Sequence, residues 1–81
     1  MKIELRLFAT LRRYLPPGSE RGKVLLDLQD GLTVEGLIER LGIPPELAEL
    51  TVVNGRTLER DLKEKLRDGD VVSIFPPIAG G

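Results

Sequence analysis

The 81-residue chain contains no cysteine and no histidine. Without cysteine there is no disulfide framework, no thiolate nucleophile and no sulfur-ligated zinc. Without histidine there is no imidazole general base, no Ser-His or Cys-His pair and no histidine metal site. No metal-binding set is expected. An excess of one charge is missing too. Twelve Lys and Arg against thirteen Asp and Glu leave a net charge of −1, short of the cationic surplus that sequence-independent nucleic-acid binding requires. No apolar run approaches the length of a membrane span, and the opening MKIELRLFAT alternates charged with apolar residues instead of forming a signal-peptide core. A soluble, cytoplasmic chain is therefore expected. Space is limited as well. A chain of this mass exposes roughly 13,000 Å² unfolded and roughly 5,000 Å² folded, enough for one sheet-and-helix layer pair but not for a deep private active site.

What remains is well patterned. Ile3, Leu5, Leu7 and Ala9 fall on one side of a period-two stretch, and Lys2, Glu4, Arg6, Phe8 and Thr10 on the other, which predicts a half-buried strand. Leu11–Leu15 has room for about one helical turn before Pro16-Pro17-Gly18 ends regular structure. Lys23–Leu28 predicts a second strand. Thr33 is a plausible N-cap, Glu35 sits where the helix dipole favours an anion, and Gly42 provides a left-handed stop. Between them Val34, Leu37, Ile38 and Leu41 form one apolar stripe. After Pro44-Pro45 only a short turn of helix fits in Glu46–Leu50. Thr51-Val52-Val53 then runs into Asn54-Gly55, a primed two-residue turn. Leu58, Leu62 and Leu66 recur every four residues and predict a short helix or helical turn. Asp68-Gly69-Asp70 is a turn, and Val71–Phe75 the last strand. One amphipathic helix with several strands is the α+β solution, here a β-grasp in which a mixed sheet packs on the Thr33 helix. The expected division is a body over residues 1–75 and a tail over 76–81.

The tail is the most informative stretch. Pro76 and Pro77 cannot donate to a sheet ladder and favour an extended exit from the last strand. Ile78 and Ala79 follow, and the sequence ends at Gly80-Gly81. Six extended residues reach roughly 20 Å, and two terminal glycines present no side chain to obstruct a narrow channel. A terminal Gly-Gly arises by chance in roughly one sequence in two hundred. Two prolines and an apolar pair before it make an idle, frayed end a poorer account than a tail inserted into a partner.

The closing FPPIAGG, the Asp68-Gly69-Asp70 turn leading into a short apolar strand, the FATLR that follows the opening strand (Phe8 to Arg12) and the Val53-Asn54-Gly55 turn together resemble the small subunit of molybdopterin synthase. More broadly, the chain is similar over essentially its whole length to the MoaD/ThiS sulfur carriers, which share the ubiquitin-like β-grasp fold. The resemblance implies that the carboxylate of Gly81, with Gly80 beside it, is adenylated by a ubiquitin-activating-type enzyme that uses ATP, and is then converted to a thiocarboxylate. It implies a second partner, a large synthase subunit that receives the tail (Pro76, Pro77, Ile78, Ala79) and supplies the catalytic lysines and substrate pocket for molybdenum or tungsten cofactor synthesis. No permanently bound cofactor is implied. Neither step draws on a base from the carrier, which fits a chain without histidine or cysteine.

Strand parity adds a surface. If Val72 and Ile74 are core, Phe75 faces outward, as Phe8 does on the first strand, and neighbouring first and last strands would set both rings side by side at the root of the tail. Contiguous exposed apolar surface marks a partner site. Phe8 and Phe75 are therefore expected to dock the large subunit and the activating enzyme, with Leu58 bordering the patch. A loop folded over the rings is the alternative. Charge is also uneven: residues 1–23 hold six basic and two acidic side chains, residues 24–50 one basic and six acidic. Such a dipolar surface can steer a partner, although a solvated face is the better account of it. The acid pairs Glu59/Asp61 and Asp68/Asp70 read as turn formers. A protein modifier linked through Gly81 to lysines of other proteins, a thiamine-pathway carrier and a plain β-grasp interaction module are the competing functions.

Overall fold

The alternation at the N-terminus does become a strand. In the computed structural model, which describes residues 1–58 and 61–77, β1 spans Lys2–Leu7 with Ile3, Leu5 and Leu7 buried. Ala9 turns the chain out of β1 at a φ of 52° and begins a 3₁₀ helix, Ala9–Tyr14. Glu20 and Lys23 then exchange backbone hydrogen bonds of 2.8 and 3.0 Å around Arg21 and Gly22, both at positive φ. There follow β2 (Lys23–Asp27), α1 (Val34–Leu41), a second 3₁₀ turn (Pro45–Leu47), β3 (Leu50–Val53), β4 (Arg56–Leu58) and β5 (Val71–Phe75).

The five strands lie in the order β2-β1-β5-β3-β4. The central pair, β1 and β5, is parallel; every other pair is antiparallel. This is the expected mixed β-grasp sheet. One face is the core: Leu5 opposes Val72, Leu7 opposes Ile74, and Val72 in turn opposes Val53. Onto it α1 lowers Val34, Leu37 and Ile38, all buried, each side chain contributing about 1.5–3 kcal/mol on leaving water.

The caps of α1 are those its sequence predicts. The Thr33 Oγ1 accepts from the Gly36 N–H at 3.0 Å, and Gly42, at φ 77°, donates to the Glu39 carbonyl at 3.0 Å. The remaining N-terminal amides are met from elsewhere. The Val34 N–H donates to the Glu64 carbonyl at 3.0 Å and the Glu35 N–H to the Leu62 carbonyl at 2.8 Å, while the Leu66 N–H donates to the Leu32 carbonyl at 2.9 Å. A helix start leaves its first amides unpaired, and here the 62–66 segment supplies their acceptors.

That pairing overturns the helical turn predicted from Leu58, Leu62 and Leu66. Leu58 closes β4, and Leu62 and Leu66 sit in turn and irregular backbone, their carbonyls and amides used across to α1 instead of within a helix of their own. Residues Glu59 and Arg60 lie outside the described residues. Asn54-Gly55 forms the primed turn between β3 and β4, at φ 52° and 82°. The Asn54 side chain then ties that turn to β5, accepting from the Val71 N–H and donating to Asp70, each at 2.8 Å. No helix among the described residues is long and apolar enough to cross a membrane.

Candidate functional site

The parallel register of β1 and β5 decides where the two phenylalanines meet. It pairs Leu7 with Ile74 on the core side, so the next residues of both strands, Phe8 and Phe75, point to the uncovered side. Their rings stack face to face, with centroids 4.2 Å apart and planes 13° apart. Each is half-buried. The parity prediction of an outward aromatic pair therefore holds, with one refinement: the rings stack on each other. The positive-φ residue that swings the chain away after Phe8 is Ala9, an alanine where a left-handed backbone favours glycine or asparagine.

Phe75 has a second neighbour that sequence reasoning missed. In the β3–β5 ladder it opposes Leu50, which is 40% exposed. Leu50 falls just before the Thr51-Val52-Val53 run, in the stretch expected to be a turn of helix. Counting the strand alternation back from Val53 through Thr51 would have put Leu50 on the outward side. Val52 and Val71, both half-buried, extend the same face beside Ser73. An ion pair between Arg6 and Glu4 flanks it. The Glu49 N–H donates to the Phe75 carbonyl at 3.1 Å, which holds the end of β5 in place where the tail departs.

Leu58 does not border this patch. Its partner across β3 is Thr51, which also opposes Ile74, so all three share the core face, and Leu58 is 6% exposed. The period-four spacing concealed a strand residue whose side is set by its ladder. Of the tail, Pro76 is half-buried and Pro77 exposed; Ile78, Ala79, Gly80 and Gly81 lie outside the described residues. Arg12 and Arg13 close the 3₁₀ helix that follows Phe8, with the Arg13 guanidinium 5.9 Å from the Tyr14 ring centre. This end of the molecule therefore combines stacked aromatics, an aliphatic neighbour and a basic margin around the point where the chain leaves β5.

Comparison with known proteins accords with this architecture. The ThiS family model matches residues 5–81. Small archaeal modifier protein 3 of Haloferax volcanii is 38% identical over 95 residues, with all of both chains covered. Among solved structures, that of SAMP1 from Haloferax volcanii is similar with a TM-score of 0.69 and 26% identity, covering the whole of each chain. That of a putative molybdopterin converting factor, subunit 1, from Pyrococcus furiosus is similar with a TM-score of 0.68 and 30% identity over 95% of this chain and 98% of the other.

Proposed function

The chain belongs to the ThiS family, and from that premise we propose that it is a sulfur carrier that works through the carboxylate of Gly81. The observation that carries this reading is the stacked Phe8–Phe75 pair at the root of a Pro-Pro tail: a body that docks beside the exit of a narrow chain end. In the first step a carboxylate oxygen of Gly81 attacks the α-phosphate of ATP in an activating enzyme, and pyrophosphate leaves. A carboxylate is a poor acyl donor until its oxygen becomes part of such a leaving group. Hydrosulfide, or a persulfide whose S–S bond a thiol then reduces, displaces AMP and leaves a thiocarboxylate. In the second step the tail enters a large partner subunit. The thiocarboxylate sulfur attacks an electrophilic carbon of the substrate and displaces a leaving group there. Water then cleaves the acyl–sulfur bond, leaving a thiol on the substrate and the carboxylate on Gly81. For a chain similar to a molybdopterin converting factor subunit, the substrate is a precursor of the molybdenum or tungsten cofactor.

A second reading has its own support in the 38% identity to a protein named as a modifier. In that case a lysine amine of a target displaces the activated group and Gly81 ends in an isopeptide bond. Both readings use the same tail and the same docking face. Intact mass of the chain isolated from its native cells separates them. Replacement of one oxygen by one sulfur at the C-terminus supports the carrier, and adducts heavier by whole proteins support the modifier. A Gly80→Val chain that is adenylated and thiolated at normal rates would contradict the narrow-channel premise, because a β-branched side chain stiffens and widens the tail.

A further inference from the structure

On the helix side of the sheet, away from the aromatic pair, a groove of about 450 Å³ runs between α1 and the 3₁₀ turn after it. The almost fully buried Ile38 and Ile43 form its floor and the half-buried Ala48 and Leu62 its apolar sides, and Glu35 and Glu39 also line it. The volume falls within the roughly 300–1,000 Å³ of ordinary ligand sites. Pro44-Pro45 forms one wall and fixes the backbone there, so the shape exists before anything binds.

One of the two glutamates is poorly explained by the fold. Glu35 gains from the helix dipole, being in the first turn of α1. Glu39 does not: it lies in the last turn, where the dipole disfavours an anion, and one helical turn from a like charge, an arrangement that costs stability. Among the described residues neither forms an ion pair. Glu46 and Glu49 follow in and just after the 3₁₀ turn that walls the groove, whereas Asp27 and Asp30 lie by the Met1 amine. An apolar trough edged by two carboxylates, one of them (Glu39) unfavourable to the helix that carries it, is complementary to an apolar side chain flanked by cations.

We infer that this groove docks a cationic amphipathic segment of a partner protein, an apolar residue entering between Ile38, Ile43, Ala48 and Leu62 while neighbouring Lys or Arg side chains meet Glu35 and Glu39. The groove lies on the helix-bearing face and the Phe8 and Phe75 rings on the other face of the sheet, so the groove and the aromatic pair are separate surfaces.

The test is an NMR titration of the full-length chain with three synthetic peptides of equal length: a Leu/Lys amphipathic helix, its Leu/Glu counterpart, and a Ser/Lys peptide of the same charge without apolar residues. The Leu/Lys peptide is expected to shift Ile38, Ile43, Ala48 and Leu62 and to leave Phe8 and Phe75 unmoved. Its affinity should fall at least tenfold in the Glu35→Gln/Glu39→Gln chain and stay unchanged when Gly80 and Gly81 are deleted. The melting temperature of Glu39→Gln alone should equal or exceed that of the parent. Equal binding of the Leu/Glu or Ser/Lys peptide, shifts centred on the aromatic pair, no binding, or a destabilised Glu39→Gln chain would each overturn the proposal. Self-association of the unliganded chain that disappears in the double variant would assign the groove to a second copy, and would overturn it too.

Discussion

The start of α1 and the end of β5 are built on opposite terms. At the start of α1 every amide finds an acceptor, from Thr33 or from the 62–66 segment, and the side chains behind it are buried. At the end of β5 two aromatic rings and Leu50 stay partly in water, and the neighbouring bend uses Ala9 in a left-handed conformation. A chain this small has little stability to spare. Apolar surface held open beside a tail is thus best accounted for by what docks there, and the satisfied helix start by folding alone.

The widest separation of the two regions comes from core and surface truncations. Leu37→Ala removes a fully buried side chain of α1 and should lower stability by about 2–5 kcal/mol, read as a drop in melting temperature, while the residual folded fraction still binds partners. Phe75→Ala should do the reverse. It is expected to weaken binding to the activating enzyme or large subunit at least tenfold, since an aromatic anchor at an interface contributes about 2 kcal/mol or more. Its stability cost should be near 1 kcal/mol, about the worth of the lost stack on Phe8. A Phe75→Ala chain that melts as early as Leu37→Ala yet binds normally would return the ring to the core and erase the distinction.

Two smaller effects sharpen it. The Thr51 hydroxyl is buried on the core face of β3 with no hydrogen-bond partner among the described residues. Thr51→Val keeps the shape and discards the stranded oxygen, so the denaturant midpoint should rise by an amount worth about 1 kcal/mol at an unchanged slope. The smallest effect is electrostatic. Glu64 accepts from Arg56 at 3.1 and 2.6 Å, and this hydrogen-bonded contact holds its carboxyl below the ordinary carboxylate value while raising Arg56. A folded value lower than the unfolded one means that the contact stabilises above the ordinary carboxylate range and is lost as pH falls through the depressed value. The difference in melting temperature between the parent chain and Glu64→Gln should therefore be present at neutral pH, close on acidification, and shrink in high salt because the pair is exposed.

Much of this was legible from residue order. The outward side of Phe8 and Phe75, the Thr33 and Gly42 caps and the Asn54-Gly55 turn all follow from relations between residues a few positions apart, where alternation, capping and allowed φ act locally. The tail on which the proposed function rests was read the same way, from two prolines and two glycines in sequence. Leu58 and Leu50 were not. Their period or their place beside a strand pointed to helix, and their actual sides were set by ladders to Thr51 and Phe75. Parity with neighbouring first and last strands put Phe8 and Phe75 side by side, but the face-to-face stack itself came only from the tertiary structure. That contact, like the pinning of 62–66 to α1, depends on which strands lie side by side and in what register, and register is chosen by the shared burial of the whole sheet face and not by any one segment's propensity.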